Sequence, residues 1–99
     1  MIVDAISLRP SDNVATAVQD LVPGQVAMVR LDRDLHQLVI NEEIPYGHKF
    51  AVRFIPKGEE ILKYGEVIGR ATVDIQSGCH AHVQNIESLR GRGDLQKEG

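Results

Sequence analysis

Short apolar runs alternate with turns marked by glycine or proline along most of this chain. Turns or loops with glycine or proline are predicted at residues 23–24, 41–47, 56–58 and 76–78, and a turn without either is predicted at 32–34. Glycine adopts positive φ at little steric cost, and proline disfavours helix in the residue before it, so both mark the ends of short elements. The pattern predicts a mainly β fold, a small single domain of mostly antiparallel strands. No internal repeat is evident.

One segment near the amino terminus is predicted to be helical instead. The apolar residues with the i, i+3, i+4, i+7 spacing of one helix face are Val14, Ala17, Val18 and Leu21. A polar side chain at positions 11–13 could cap the first turn, and residues 23–24 would end the helix. We therefore expect one short N-terminal helix, packed on the sheet because so short a helix is marginal alone.

The remaining apolar segments are predicted strands. They cover residues 2–8, 25–31, 35–40, 49–55, 59–62, 66–71, 72–75 and 80–86. The second and third should form a hairpin. In the fourth, Phe50, Val52 and Phe54 share one face, which predicts that this strand lies at the centre of the core. We expect the domain to span residues 1–89 and the polar residues 90–99 to form a mobile tail.

Length, charge and cysteine content narrow the class of protein. The 99 residues carry a net charge of −3 and one cysteine, Cys79. This length allows one domain with a modest core, and the weak negative charge does not favour a nucleic-acid partner. A lone cysteine cannot form an internal disulfide and is typical of the reducing cytoplasm. Residues 1–6 show neither a signal peptide nor a membrane span, so no membrane association is predicted.

Polar side chains capable of chemistry lie beside glycines in three stretches, residues 46–49, 63–71 and 78–85. In an extended strand, His80 and His82 would point the same way, about 7 Å apart. They could then share a metal ion or bind an anionic substrate. The alternative is a solvated strand face with two ordinary histidines.

Each further candidate has a functional and a structural interpretation. His48 could act as an acid or base near neutral pH, or be an exposed turn residue. Lys49 and Lys63 could each bind a carboxylate, or be solvated surface lysines. Tyr64 could orient substrate hydroxyls or cover the rim of the core. Asn85 could bond to substrate or stabilise a turn.

Taken in order, these pieces resemble the small amino-terminal module of the altronate/galactarate dehydratase family, called the SAF domain. The pieces are His48-Lys49, Lys57-Gly58-Glu59, the run from Lys63 to Ala71, and Gly78 followed by the His-x-His run. The likeness extends from about Ala5 to Leu95 and implies the β-clip fold, a twisted set of hairpins. Related sequences carry a third histidine where this chain has Gln84, which is a poor metal ligand. The sequence therefore does not define a three-histidine metal site.

The resemblance implies a lyase that eliminates water from a 2,3-dihydroxy acid such as altronate or galactarate. A base removes the proton next to the carboxylate, and a divalent metal, iron(II) in this family, helps the hydroxyl to leave. Most of that chemistry is expected on a larger catalytic subunit. The present chain, with its polar end soon after the module, resembles the separate small subunit.

The resemblance also implies roles for single residues. The expected catalytic residues are His48, His80 and His82. The expected substrate contacts are Lys49, Lys63, Tyr64, Gln84 and Asn85. The metal is expected mainly on the partner subunit, and His80 and His82 are candidate ligands in this chain.

Other functions stay open at this point. The alpha subunit of a sulfolactate sulfo-lyase, which releases sulfite instead of water, is a short chain of the same family. SAF-type domains also serve as non-catalytic modules that bind carbohydrate, ice or protein. A third alternative is a chain that only scaffolds the large subunit.

Overall fold

The computed structural model describes residues 3–89, and these residues form a mainly β domain. Its nine strands are β1 (Ala5–Ser7), β2 (Val14–Ala17), β3 (Val26–Leu31), β4 (Asp34–Val39), β5 (Lys49–Ala51), β6 (Glu60–Lys63), β7 (Glu66–Ala71), β8 (His80–Ala81) and β9 (Ile86–Ser88). The predicted fold class is thereby confirmed. The predicted tail at 90–99 lies outside the described residues. Within 3–89, no helix has the length and apolar character needed to cross a membrane.

The strands form two sheets. One has six strands in the order β4-β3-β1-β2-β5-β8, and the other has three in the order β6-β7-β9. β1 and β3 run parallel, whereas the other paired strands are antiparallel. The predicted hairpin between β3 and β4 is confirmed, with Val26 opposite Val39 at one end and Leu31 opposite Asp34 at the other.

The predicted N-terminal helix is wrong, because its first half is strand β2. Ala17 pairs with Ala5 of β1, and Val14 pairs with Ala51 of β5, so β2 has a hydrogen-bonded neighbour on both sides. The hydrogen bonds of β2 to two neighbouring strands stabilise this segment more than one or two turns of an isolated helix would, since so short a helix is only marginally stable. Val14, Ala17 and Leu21 are all buried. Their spacing matches one face of a helix, but they are buried without forming a helix.

The predicted strand at 49–55 is shorter than expected and only its first part is central. Phe50 is fully buried in one core cluster, but β5 ends at Ala51 and Phe54 is 45% exposed. The chain bends at 52–53 so that Ile55 can form a bridge to Ile75. This bend breaks the alternation on which the prediction relied.

Four turns share one construction, so the domain contains a short structural repeat that the sequence analysis missed. Each begins with a buried aliphatic residue, followed three positions later by a glycine with positive φ, and a strand comes next. The aliphatic residues are Leu21, Ile44, Ile55 and Ile75, and the glycines are Gly24, Gly47, Gly58 and Gly78. Leu21 bridges Ile44, and Ile55 bridges Ile75. The repeat sets the starts of β5 and β8 side by side.

Two buried polar residues fasten the second sheet to the first. The Asp12 carboxylate accepts hydrogen bonds from the backbone N–H groups of Tyr64 and Gly65, both at 2.8 Å, and from the Ser7 hydroxyl. The Asn13 side chain accepts one from the Leu62 N–H at 2.8 Å and donates to the Glu60 carbonyl. The sequence suggested these two as helix caps. They instead hold the β6–β7 turn.

Candidate functional site

Three histidines converge at the edge of the six-stranded sheet. His48 lies just before β5, and His80 begins β8, where it pairs with Phe50. The ring centroids are 5.1 Å apart for His48 and His80, 4.7 Å for His48 and His82, and 5.3 Å for His80 and His82. One ring nitrogen from each lies within 4.8 Å of the others. We call these three residues the histidine cluster.

A turn, and not an extended strand, brings His82 to the cluster. The prediction of a strand over 80–86 is wrong, because β8 ends at Ala81 and residues 83–85 form a turn. Asn85 closes that turn: its side chain donates to the His80 carbonyl at 2.8 Å and accepts from the His82 N–H at 2.9 Å. The side-chain amide of Asn85 is thus engaged with the backbone, which matches the turn-stabilising interpretation.

The loop before β5 holds His80 from the other side. Glu42 accepts a hydrogen bond from the His80 N–H at 2.8 Å, and Asn41 donates to the Ser77 carbonyl at 2.7 Å. At Gly78 the backbone at the end of β4 passes so close that a Cβ would lie 2.2 Å from the Val39 carbonyl oxygen. The main chain beneath His80 is therefore fixed on both sides.

The environment lowers the pKa of two of the imidazoles, which favours their neutral form. Desolvation by burial and the neighbouring His48 and His82 lower the pKa of His80. Desolvation, His48 and Lys49 lower the pKa of His82. Neutral imidazole has a free lone pair on one nitrogen, which is the form that binds metal ions.

The donor set of the histidine cluster fits a divalent first-row metal ion. Imidazole suits iron, zinc, nickel and copper, and three protein ligands with an open position are typical of catalytic metal centres. The Nδ1 atom of His48 lies 2.9 Å from the Nε2 atom of His80, so two donor atoms already face one another. Gln84 lies beside the cluster, with its Nε2 atom 3.4 Å from His80 Nδ1.

An open cleft of about 520 Å³ adjoins the cluster. His82 lines it, and so do three of the predicted substrate contacts, Lys49, Lys63 and Tyr64. Its remaining lining residues are Glu66, Ile68, Val83, Ile86 and Ser88. The cleft thus combines apolar walls with a few polar groups, which is typical of small-molecule sites.

The two lysines of the cleft come from different sheets. Lys49 opens β5, and Lys63 ends β6. Desolvation by burial and the charge of Lys63 both lower the pKa of Lys49. The Lys63 ammonium lies 5.1 Å from the centre of the Tyr64 ring, within the range of a cation–π contact.

Tyr64 itself is held in an unusual backbone conformation. Its φ is 55°, in the left-handed region, which costs an ordinary residue about 1 kcal/mol. The hydrogen bond from its N–H to the buried Asp12 helps to offset this cost. Sequence reasoning missed Asp12 as a supporting residue. Its position before a strand and among polar neighbours gave no local indication of a partner 52 residues away.

The predicted site residues therefore fall into two adjoining groups. His48, His80 and His82 form the cluster, with Gln84 and Asn85 on the turn beside it. Lys49, Lys63 and Tyr64 line the cleft. What the sequence did not show is that His48 completes the set of three histidines.

Comparison with known proteins relates the sequence of this chain to one family. Residues 3–89 match the family described as altronate/galactarate dehydratase SAF domain. Altronate dehydratase of Escherichia coli (strain K12) is 39% identical over 83 residues, and galactarate dehydratase (L-threo-forming) of the same organism is 42% identical over 73 residues. The (2R)-sulfolactate sulfo-lyase subunit alpha of Paracoccus pantotrophus is 32% identical over 65 residues.

The relatives differ in how much of their length is matched. The aligned part is 84% of this chain and 16% of the E. coli altronate dehydratase, and 74% of this chain and 13% of the galactarate dehydratase. For the P. pantotrophus subunit it is 66% of this chain and 97% of that protein. The chain therefore corresponds to a small part of the dehydratases and to nearly all of the sulfo-lyase subunit.

Proposed function

The chain belongs to the altronate/galactarate dehydratase SAF domain family, and on that basis we propose that it is the SAF component of a lyase that removes water from a sugar acid such as altronate or galactarate. The observation that carries the proposal is the convergence of three histidines beside a cleft lined by two lysines. Histidines that can bind a metal ion, beside lysines that can bind an acidic group, suit a negatively charged, hydroxylated substrate.

We further propose that the histidine cluster holds the divalent metal, iron(II), that a dehydratase of this kind requires. His48, His80 and His82 would be its ligands, whereas the sequence alone favoured the partner subunit for this role. The bound ion would supply Lewis-acid assistance to the departing hydroxyl. Gln84 and Asn85 would serve the cluster by orienting His80 and His82.

The other residues of this chain would bind and orient the substrate. Lys49 and Lys63 would hold an acidic group as compact cations, and the phenol of Tyr64 would bond to a substrate hydroxyl. A histidine that ligates a metal through its lone pair cannot also accept a proton there. The base that removes the proton next to the carboxylate would therefore come from a larger catalytic subunit in the cytoplasm.

A second candidate is the alpha subunit of a sulfolactate sulfo-lyase. It is favoured by the match to nearly the whole length of the P. pantotrophus subunit. The same cleft would then hold a substrate that carries a sulfonate, and sulfite would leave in place of water. A non-catalytic binding module would keep the lysine-lined cleft but would need no metal ion.

Copurification followed by assay separates these functions. A tagged chain is recovered from its source cells under anaerobic conditions with iron(II), and the recovered material is assayed for dehydration of altronate and galactarate and for sulfite release from sulfolactate. We expect a larger partner and dehydration that is lost in His82→Ala but kept in His36→Ala, since His36 is exposed in β4. Sulfite release would identify the sulfo-lyase. A chain recovered without partner and without either activity would contradict the lyase proposal.

A further inference from the structure

The outward-facing backbone groups of His80 are both bound by side chains. β8 lies at the edge of the six-stranded sheet, next to β5. The Ala51 N–H donates to the Cys79 carbonyl at 3.0 Å, so in this antiparallel ladder the N–H and carbonyl of the next residue, His80, point away from β5. The His80 N–H donates to the Glu42 carboxylate and its carbonyl accepts from the Asn85 side chain, both at 2.8 Å. The peptide groups before and after His80 are therefore both held.

A loop from a distant part of the chain carries the Glu42 carboxylate. The Asn41 N–H donates to the Gly78 carbonyl at 2.9 Å, and the Asn41 side chain donates to the Ser77 carbonyl at 2.7 Å. These bonds fasten the loop to the turn that precedes His80, so the neighbouring residue Glu42 reaches an N–H that lies 38 positions later in the sequence. A hydrogen bond from a backbone N–H to a carboxylate is among the stronger ones in proteins.

The three histidines differ in what holds their backbone. The N–H and the carbonyl of His48 both bond to other main-chain groups, at 3.0 and 2.9 Å. The His82 N–H donates to the side chain of Asn85, which belongs to the same turn. The His80 N–H depends instead on the side chain of Glu42. One side chain from outside its own turn thus controls the orientation of the His80 backbone.

The position of the His80 backbone decides where its imidazole lies. The Nε2 atom of His80 is 2.9 Å from Nδ1 of His48, and its ring centroid is 5.3 Å from that of His82. Because φ and ψ fix the direction in which a side chain leaves the backbone, rotation of the peptide group before His80 would move its ring relative to both other histidines. A metal site needs its ligands held within about 0.5 Å and 10–20° of the binding geometry.

We propose that Glu42 is a positioning residue of the metal site, which holds the His80 imidazole in the orientation that binds the ion by accepting the hydrogen bond from the His80 N–H. This inference rests on the proposed function, because it concerns the site assigned there to the histidine cluster. Within residues 3–89, the side chains grouped as possible ligands are the three histidines, and Glu42 is not among them. Its contribution is therefore made through the backbone of His80. Partners outside the ligand set affect metal affinity because they orient the ligands.

Cobalt(II) titration of the metal-free chain and of three variants tests this role. Glu42→Ala removes the acceptor, and we expect at least about tenfold weaker binding, a ratio that corresponds to about 1.4 kcal/mol. Its visible spectrum should also change, since a displaced ligand alters the coordination geometry. Glu42→Gln keeps an acceptor oxygen without the charge, so it should bind as the wild type does. Glu43→Ala removes the same charge from the exposed next position and should also leave binding unchanged.

The variants separate positioning from charge and from stability. Unfolding curves establish that each variant is folded during the titration. If Glu42 served only the stability of the fold, Glu42→Ala would unfold more easily but, while folded, would bind cobalt(II) as the wild type does, and this result would overturn the proposal. Equally weak binding by Glu42→Ala and Glu42→Gln, or by Glu42→Ala and Glu43→Ala, would also overturn it, since either would show that the charge is responsible.

The titration also distinguishes failure of this inference from failure of the proposed function. Equal binding by the wild type and all three variants leaves the metal site in place and removes only the role of Glu42. Absence of binding by the wild type removes the metal site and this inference together. A loss in Glu42→Ala alone, with no lyase activity in the copurified material, leaves the metal site and the role of Glu42 in place and removes the lyase proposal.

Discussion

The Nδ1 atom of His48 lies 2.9 Å from the Nε2 atom of His80, although 32 positions separate the two residues in the sequence. The contact exists because β5 and β8 pair in register and both follow turns of the same construction. It makes His48 the third member of the histidine cluster. Gln84, two positions after His82, approaches the His80 ring from the neighbouring turn, with its Nε2 atom 3.4 Å from His80 Nδ1.

Loss of the Asp12 carboxylate should destabilise the domain. Asp12→Asn would place an amide NH₂ among groups that already donate to this position, so at least one buried donor would lose its acceptor. We expect the free energy of unfolding to fall by about 2–3 kcal/mol. Urea unfolding followed by circular dichroism measures it. The exposed Asp34→Asn is the control, and a loss of equal size there would contradict the role assigned to Asp12.

Glycine is required at position 78 for space as well as for conformation. Gly78 and Gly24 both have positive φ, 82° and 89°, but a Cβ at 78 would lie 2.2 Å from the Val39 carbonyl oxygen and a Cβ at 24 would meet nothing within 4 Å. Gly24→Ala should therefore cost about 1 kcal/mol, the usual penalty for a side chain in this region. Gly78→Ala should cost clearly more, about 2–4 kcal/mol. Equal losses in thermal unfolding would show that the close approach is unimportant.

One buried hydroxyl in β2 lacks a hydrogen-bond partner. It is Oγ1 of Thr16. Valine has nearly the same shape without the polar atom, so Thr16→Val should raise the free energy of unfolding by about 1 kcal/mol. Thr72→Val, at an exposed position, should have little effect. Destabilisation by Thr16→Val would mean that the hydroxyl is satisfied in solution.

Local sequence patterns were sufficient for the elements whose partners are close in the chain. The β3–β4 hairpin was predicted because its two strands and the turn between them are contiguous. The turns that contain Gly47, Gly58 and Gly78 were predicted from residue type alone, since glycine at positive φ is a local requirement. The same holds for the lysine and histidine candidates, which adjoin such turns.

Elements that depend on distant partners were not predictable in this way. β2 has an apolar spacing that also suits a helix, and only its pairing with β1 and β5 decides in favour of a strand. The bend after Ala51 and the turn after Ala81 likewise follow from tertiary contacts, the bridge between Ile55 and Ile75 and the hydrogen bonds of Asn85. The spacing of apolar residues indicates which residues are buried, and here segments from several parts of the fold bury them.

Metal binding by the chain alone tests the central claim most directly. Cobalt(II) is titrated into the metal-free chain, and its visible absorption reports coordination by histidine. We expect one ion per chain in the wild type and a loss of affinity of at least about 100-fold in His48→Ala and in His82→Ala, because removal of even a supporting contact around a metal ligand costs 10–100-fold. His36→Ala should bind as the wild type does. Equal binding by His48→Ala and the wild type, or no binding by either, would contradict the assignment of the histidine cluster as a metal site.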